Sequence, residues 1–215
     1  MDPPSILSVV GLEEGVTYEV IVSTRAPDGT PNAAPMGVRS LDGRTLTLLI
    51  FKSTQTYRNL LTTRTAVANI TDDPRLFYDT ALKEGTPCPI EMFEEAKHVR
   101  APRLVDVESI IELTVSSIRD EDLHRARVDC DPVYSEVLQL RNRPYCRGRF
   151  AAIEAIIHAT RVKAFLKEGR KEEADRLIQS ILAYRALTER VCPSSSYSEI
   201  IEDIVAKVKE WKREG

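Results

Sequence analysis

Hydrophobic and polar positions change their period once along this chain of 215 residues. Up to about residue 148 the apolar side chains come in short, partly alternating runs broken by turn signals. Beyond it they recur every three to four positions. Residues 18–24, Tyr-Glu-Val-Ile-Val-Ser-Thr, are β-branched and stop at Pro27-Asp28-Gly29, a turn. Residues 34–38 follow Pro31-Asn32 and complete a hairpin. Leu41-Asp42-Gly43-Arg44 then launches residues 45–51, the best-patterned strand of the chain. Residues 65–70 are mostly apolar, which predicts a strand buried on both faces. Asp73 and Pro74 suit the cap and first turn of a short helix that turns Leu76, Phe77 and Leu82 inward. Residues 83–102, with Pro87, Pro89 and Pro102, read as an irregular excursion. Two long extended stretches, 104–118 and 126–134, flank the solvated turn Arg119-Asp120-Glu121-Asp122. Six or more strands at this spacing predict an antiparallel barrel.

From Phe150 the period is helical. Phe150, Ile153, Ile156, Ile157, Thr160 and Phe165 predict the apolar face of one helix, ending at Gly169. A second runs from about Lys171 to Arg190 with Ala174, Leu177, Ile178 and Ile181 inward. A third opens on the capping box Ser196-Tyr197-Ser198-Glu199 and buries Ile200, Ile204, Val208 and Trp211. The punctuation agrees. Eleven of twelve prolines and seven of nine glycines occur by Gly148, leaving one Pro and two Gly for the last 67 residues. The expected fold is α+β, with a β-barrel domain over 1–140 and a three-helix segment over 141–215.

Composition narrows the function classes. Apolar residues at 42% and charged ones at 29% are ordinary for a folded soluble chain. No run of apolar residues exceeds four, which predicts no membrane helix. The start, Met1-Asp2-Pro3-Pro4, is unlike a signal peptide, so the expected location is cytoplasmic. A net charge of -3 and only 13 aromatics argue against a nucleic-acid binder. Cys88, Cys130, Cys146 and Cys192 form no CxxC pair, and His98, His124 and His158 are scattered, so no metal site is expected.

Three polar clusters remain. Lys52-Ser53-Thr54-Gln55-Thr56-Tyr57-Arg58-Asn59 follows the best strand. Hydroxyls, free amides at a helix start and a lysine make a workable anion site, although Ser and Thr are also plain N-caps. The missing glycines exclude a Walker loop or a dinucleotide fingerprint. Asn32-Ala33-Ala34-Pro35-Met36-Gly37 joins small residues to a proline. It reads either as an ordinary hairpin edge or as an open one that a flat ligand can approach. In Ala68-Asn69-Ile70-Thr71-Asp72-Asp73, helix capping explains the acids, whereas Asn69 inside an apolar strand wants a partner.

In this order, residues 18–24, Asp28-Gly29, Asn32-Ala33-Ala34-Pro35-Met36-Gly37-Val38, residues 51–60 with Thr56-Tyr57-Arg58-Asn59-Leu60, and residues 69–77 resemble an uncharacterised, largely archaeal family of FMN-binding split-barrel proteins. That family sits in the flavin-reductase and pyridoxamine-phosphate-oxidase-like superfamily. The resemblance covers about residues 10–140, and residues 149–161 look like the family's C-terminal part. This chain has Ser53-Thr54 where similar proteins carry Gly-Ser. The resemblance implies a split barrel with FMN as cofactor. Its phosphate would lie on Ser53, Thr54 and Thr56 with Asn59 in support, and its ring along Ala34, Pro35, Met36 and Gly37; Asn32, Lys52 and Asn69 complete the expected cofactor-binding set. It also implies a homodimer with the cofactor near the interface. The expected activity is that of an FMN-dependent oxidoreductase of unspecified substrate and electron donor. The alternatives are a flavin-binding or redox-sensing module without turnover, or a barrel that takes haem or a deazaflavin. No residue stands out as catalytic.

Other polar groups read as structural. Glu154 and His158 lie one helical turn apart, as polar positions of a helix. Arg141, Arg143, Arg147 and Arg149 form a basic patch that reads as a solvated linker and could also take an anion. Glu108 and Glu112 read as exposed positions of a strand.

Overall fold

The computed structural model describes residues 5–81, 83, 87–139 and 144–214. Leu82, Arg141 and Arg143 of the preceding section lie outside the described residues. The chain divides into two compact units, the first ending at Tyr145 and the second beginning at Cys146.

In the first unit a short helix α1 (Ile6–Val9) precedes β1 (Thr17–Arg25), β2 (Pro31–Arg39) and β3 (Leu46–Phe51). Helix α2 (Gln55–Thr63), strand β4 (Thr65–Ile70) and helix α3 (Pro74–Ala81) follow. A 3-10 turn (Ile90–Met92) leads into β5 (Phe93–Glu95) and β6 (Pro102–Leu104), and the unit is completed by β7 (Ser109–Asp120) and β8 (Arg125–Val137). Six strands close a barrel in the order β1-β2-β3-β8-β7-β4, every pair antiparallel. The expected barrel is present.

Alternation fills its interior. Val38 faces Leu48, and Leu48 faces Val128, across three neighbouring strands, and all three are fully buried. Leu46, Ile50, Val20, Val22, Ala66, Ala68, Leu113 and Ala126 join them. The β1–β2 turn needs Gly29, whose φ of 93° is open to glycine and strained for other residues. Pairing around the barrel is uneven. β2 bonds to β1 over nine residue pairs and to β3 over only two, Val38↔Leu48 and Arg39↔Thr47. From Pro31 to Gly37 the other edge of β2 is therefore open. Pro35 has no amide to offer a third strand.

The excursion after α3 has a function in packing. It covers the outer face of β1, β4 and β7, where Cys88, Val99, Ala101, Leu104 and Val107 meet Ile21, Ala33, Val67 and Ile110. This second layer is why β4 is apolar almost throughout. It also corrects the reading of Glu112. That residue faces Val67 under the excursion and is fully buried, its carboxylate accepting from the amides of Lys97 (2.9 Å), His98 (2.6 Å) and Val99 (3.0 Å). A polar residue within a strand here marks an anchor, not a solvent face. Glu108 is half-buried.

The second unit consists of α4 (Arg147–Lys167), α5 (Lys171–Val191) and α6 (Ser196–Glu214). Helix α4 ends in a Schellman motif. The Gly169 amide donates to the Leu166 carbonyl and the Arg170 amide to that of Phe165, with Gly169 at φ 73°. The buried face of α4 differs from the expected one. Ala151, Ala152, Ala155, Ala159 and Val162 pack inward, while Phe150, Ile153, Ile156 and Ile157 remain 39–45% exposed. Small side chains let the helix axes approach closely, and this outweighs the larger hydrophobicity of Ile and Phe. On α6 the cap is Ser195, whose hydroxyl accepts from the Ser198 amide at 3.3 Å. The helix thus begins one residue earlier than a box capped by Ser196 requires. Ile201 is buried and Ile200 is exposed. Arg147 and Arg149 fall in the first turn of α4, not in a linker.

All four cysteines are buried free thiols. Burial pushes the Cys130 thiol up to about 12. The Cys192 sulfur lies over Gly148, where a Cβ would stand 2.1 Å from Sγ and 3.3 Å from a Thr188 methyl. We expect Gly148→Ala to destabilise the helical unit by about 1–2 kcal/mol through overpacking. Thermal unfolding followed by Trp211 fluorescence reads this. An unchanged midpoint would mean that the Cys192 side chain has room to rotate away.

Candidate functional site

Pro31 and Asn32, at the start of the open edge of β2, and the first turn of α2 lie on one cleft of about 550 Å³, within the range of small-molecule sites. Its walls include Thr30, Pro31 and Asn32 of the β1–β2 turn and β2, Gln55, Arg58 and Asn59 of α2, and Lys83, Pro87 and Cys88 of the segment beyond α3. These segments meet because β3 delivers the chain to α2, which packs against β1 and β2, and because the segment after α3 returns across β2.

Helix α2 begins at Gln55 with Thr54 as its cap. The Thr54 hydroxyl accepts from the Tyr57 amide at 3.2 Å and donates to the Phe51 carbonyl at 2.8 Å. The Arg58 amide reaches the Thr54 carbonyl. The amides of Gln55 and Thr56 have no partner among the described residues and stand at the positive end of the helix dipole. Beside them, Arg58 is exposed and its guanidinium donates to the Ser53 carbonyl and to Gln55 Oε1.

Below this rim runs a polar chain that passes from half-buried Lys83 and Asn32 to buried Thr56, Asn59 and Thr24. Lys83 Nζ donates to Asn32 Oδ1 (2.8 Å) and to the Ala33 carbonyl (2.6 Å). Asn32 Nδ2 donates to the Thr56 hydroxyl at 3.0 Å. In parallel, Gln55 Nε2 donates to Asn59 Oδ1 (2.7 Å) and Asn59 Nδ2 to the Thr24 hydroxyl (3.0 Å). Two cationic side chains, the first residue of α2 and the start of β2 thus share one cleft. Asp28 adds a negative charge on the β1–β2 turn. The Thr30 amide donates to its carboxylate at 2.9 Å and holds it below the usual carboxylate range.

Of the residues singled out in the sequence, Asn32, Thr56 and Asn59 meet in this network. Ala34, Pro35, Met36 and Gly37 continue along the open edge, all partly exposed. Ser53 is exposed at the turn before α2, and Thr54 serves as the helix cap. Lys52 turns the other way. Its ammonium is 2.8 Å from Asp120 and 3.1 Å from the Asp122 carbonyl, at the β7–β8 turn. Asn69 is fully buried under the excursion. Its amide donates to the Ile21 carbonyl and the Ser23 hydroxyl, and its oxygen accepts from the Leu104 amide. Two cleft residues escaped the sequence reading. Arg58 stood within a quoted cluster whose hydroxyls drew the chemistry, and Lys83 stood alone in a proline-punctuated segment with no local pattern. Among the described residues, no three His, Cys, Asp or Glu side chains gather as a metal would need. No described helix is long and apolar enough to cross a membrane.

The N-terminal domain of DUF447, a family of proteins of unknown function, matches residues 18–139. Among solved structures, the chain is similar to the FMN-bound protein MM1853 from Methanosarcina mazei, itself described with that family. The two share 24% identity over 94% of this chain and 99% of the other, with a TM-score of 0.56. The FMN-binding protein of Thermus thermophilus, solved with p-hydroxybenzaldehyde, is 17% identical over 63% of this chain and 79% of its own, with a TM-score of 0.51. Flavoredoxin of Desulfovibrio vulgaris is also 17% identical, over 61% and 76%, with a TM-score of 0.50. At these identities the likeness is one of fold, and the fold is that of the flavin-binding split barrels. The family match spans more than half of the chain and runs along the barrel from β1 to β8, so this protein is a member of the DUF447 family.

Proposed function

We propose that this chain is an FMN-binding flavoprotein that works as an oxidoreductase, with the cofactor in the cleft between β2 and α2. The observation that carries the reading is a cleft of about 550 Å³ in which Gln55, at a helix start with two free amides, meets Pro31 and Asn32, where the open edge of β2 begins. FMN has two unlike ends, and the donor set fits both. A phosphate needs convergent donors, available in the Gln55 and Thr56 amides and the Arg58 guanidinium. A flat ring with a polar rim needs an approachable backbone, available along residues 33–37, where Ala33, Ala34 and Gly37 keep side chains small. The Thr56 hydroxyl, which accepts from Asn32, can still donate its own proton to an anion.

Bound FMN would supply the electron-accepting chemistry. This chain's residues would bind it, orient it and keep water from it. Lys83 holds a positive charge on the ring edge of the cleft, which favours a ligand that gains negative charge on reduction. The assembly we propose is a homodimer. It is supported by apolar side chains left on the barrel exterior, with Leu49, Phe51, Val133 and Val137 all 42–57% exposed. Sedimentation equilibrium yielding a monomer mass would contradict it. The oxidoreductase reading is tested by mixing the FMN-loaded chain anaerobically with NADH or NADPH. Bleaching of the flavin absorbance within seconds is expected. Unchanged absorbance with both donors would favour a flavin-binding module without turnover.

A further inference from the structure

The helical unit carries a second cleft that the flavin reading does not use. It lies between α4 and α6, encloses about 560 Å³ and is lined by Ile156, Ala159, Ala164, Ile204 and Trp211, with Lys163, Lys167 and Lys207 around it. The spacing explains the lining. Ile156, Ala159, Lys163 and Lys167 recur at steps of three and four along α4, as do Ile204, Lys207 and Trp211 along α6. The two helices therefore present one shared trough with an apolar floor. Ile156 is 45% exposed within it.

The charged residues that line this floor are all lysines. Many cations of the same unit are neutralised nearby: Arg170 by Glu168 and Glu173, Arg185 by Glu189 and Glu202, Lys212 by Asp175. At the trough, Lys207 is paired with Asp203. Lys163 and Lys167 have no carboxylate partner among the described residues, and neither trough wall contributes an acidic lining residue. The Lys163 ammonium lies 5.1 Å from the centre of the Trp211 ring, a cation–π contact that sets this exposed lysine at the rim of the apolar floor. An apolar trough with two uncompensated ammonium groups complements a molecule with a hydrocarbon body and an anionic head.

We propose that this trough binds a free alkyl carboxylate of the fatty-acid class, its chain along Ile156, Ala159 and Ile204 and its head between Lys163 and Lys167. The proposal is independent of flavin binding. Trp211 is the chain's only tryptophan, so its fluorescence reports on the trough directly. The full-length protein is titrated with dodecanoate below its micelle concentration, and in parallel with dodecanol, dodecyltrimethylammonium and anionic phospholipid vesicles. A saturable change in Trp211 emission with dodecanoate is expected, with at least tenfold weaker responses to the neutral and cationic amphiphiles. Lys163→Gln combined with Lys167→Gln should weaken dodecanoate roughly tenfold. Ala164→Glu, at an exposed position of the wall, should abolish the response without altering thermal stability. Equal responses to all three amphiphiles, a response to vesicles alone, or full affinity in Ala164→Glu would each overturn the proposal.

Discussion

Replacing Glu112 by Ala lowers the unfolding free energy of the barrel unit by about 3–5 kcal/mol, because three backbone amides lose their buried acceptor at once. The side chain is fully buried on the outer face of β7, and both of its oxygens are in use. Hydrogen bonds to a charged group contribute about 1.5–3 kcal/mol each, and three amides lose their acceptor together. A water entering the vacated space recovers part of that, so the effects do not simply add. Beyond the local bonds, residues 97–99 place Val99 and Ala101 in the layer over β1, β4 and β7, so loosening them exposes apolar surface as well. Glu112→Gln separates these contributions. Its single acceptor oxygen can keep either the Lys97 amide or the His98 and Val99 pair, and a loss of about half the alanine effect is expected. Guanidinium unfolding followed by circular dichroism measures both variants, and hydrogen exchange at the amides of 97–99 localises the change. A loss below about 1 kcal/mol in Glu112→Ala would show that the excursion is held by its apolar contacts alone.

On the proposed assignment of the cleft, replacing Arg58 by Ala should weaken FMN binding by about 1.5–3 kcal/mol, the scale of a charge-assisted hydrogen bond to an anion, or roughly ten- to a hundredfold. Riboflavin, which has the ring and lacks the phosphate, provides the discriminating control. Its affinity should stay within about twofold, because the strand edge of β2 is untouched. The substitution also removes bonds to the Ser53 carbonyl and to Gln55 Oε1, so the thermal midpoint is measured alongside. Exposure of the guanidinium makes the FMN term sensitive to salt. A loss of equal size for FMN and riboflavin would place the effect of Arg58 in the fold of the turn and not on the phosphate.

Strand and helix identity was legible wherever one local pattern decided it. Leu46, Leu48 and Ile50 alternate inward as their spacing requires. Pro35 announced the open edge of β2 because a residue without an amide cannot sit between two bonded strands. What escaped depended on distant packing. Glu112 reads as a solvent position until the excursion, which precedes it in the chain, is folded back over β7. The inward face of α4 was misread because hydropathy ranks Phe150 and Ile153 above Ala151 and Ala155, whereas close helix contact favours the alanines. In the cleft, Asn32 and Thr56 were visible as polar residues in suggestive runs. Their bond to each other, and the arrival of Lys83, arise only when α2 and the segment after α3 meet β2. Lys52 and Asn69 show the converse. A polar side chain beside a plausible site can be engaged elsewhere, by Asp120 in one case and by the Leu104 amide in the other.

The central claim is that the cleft between β2 and α2 holds FMN by both of its ends. Quenching of flavin fluorescence on titrating apo-protein into FMN, and separately into riboflavin, tests it most directly. The account predicts saturable one-to-one binding of FMN, with riboflavin weaker by at least tenfold because it lacks the group that α2 and Arg58 would hold. No quenching with FMN, or equal affinity for the two flavins, would contradict it.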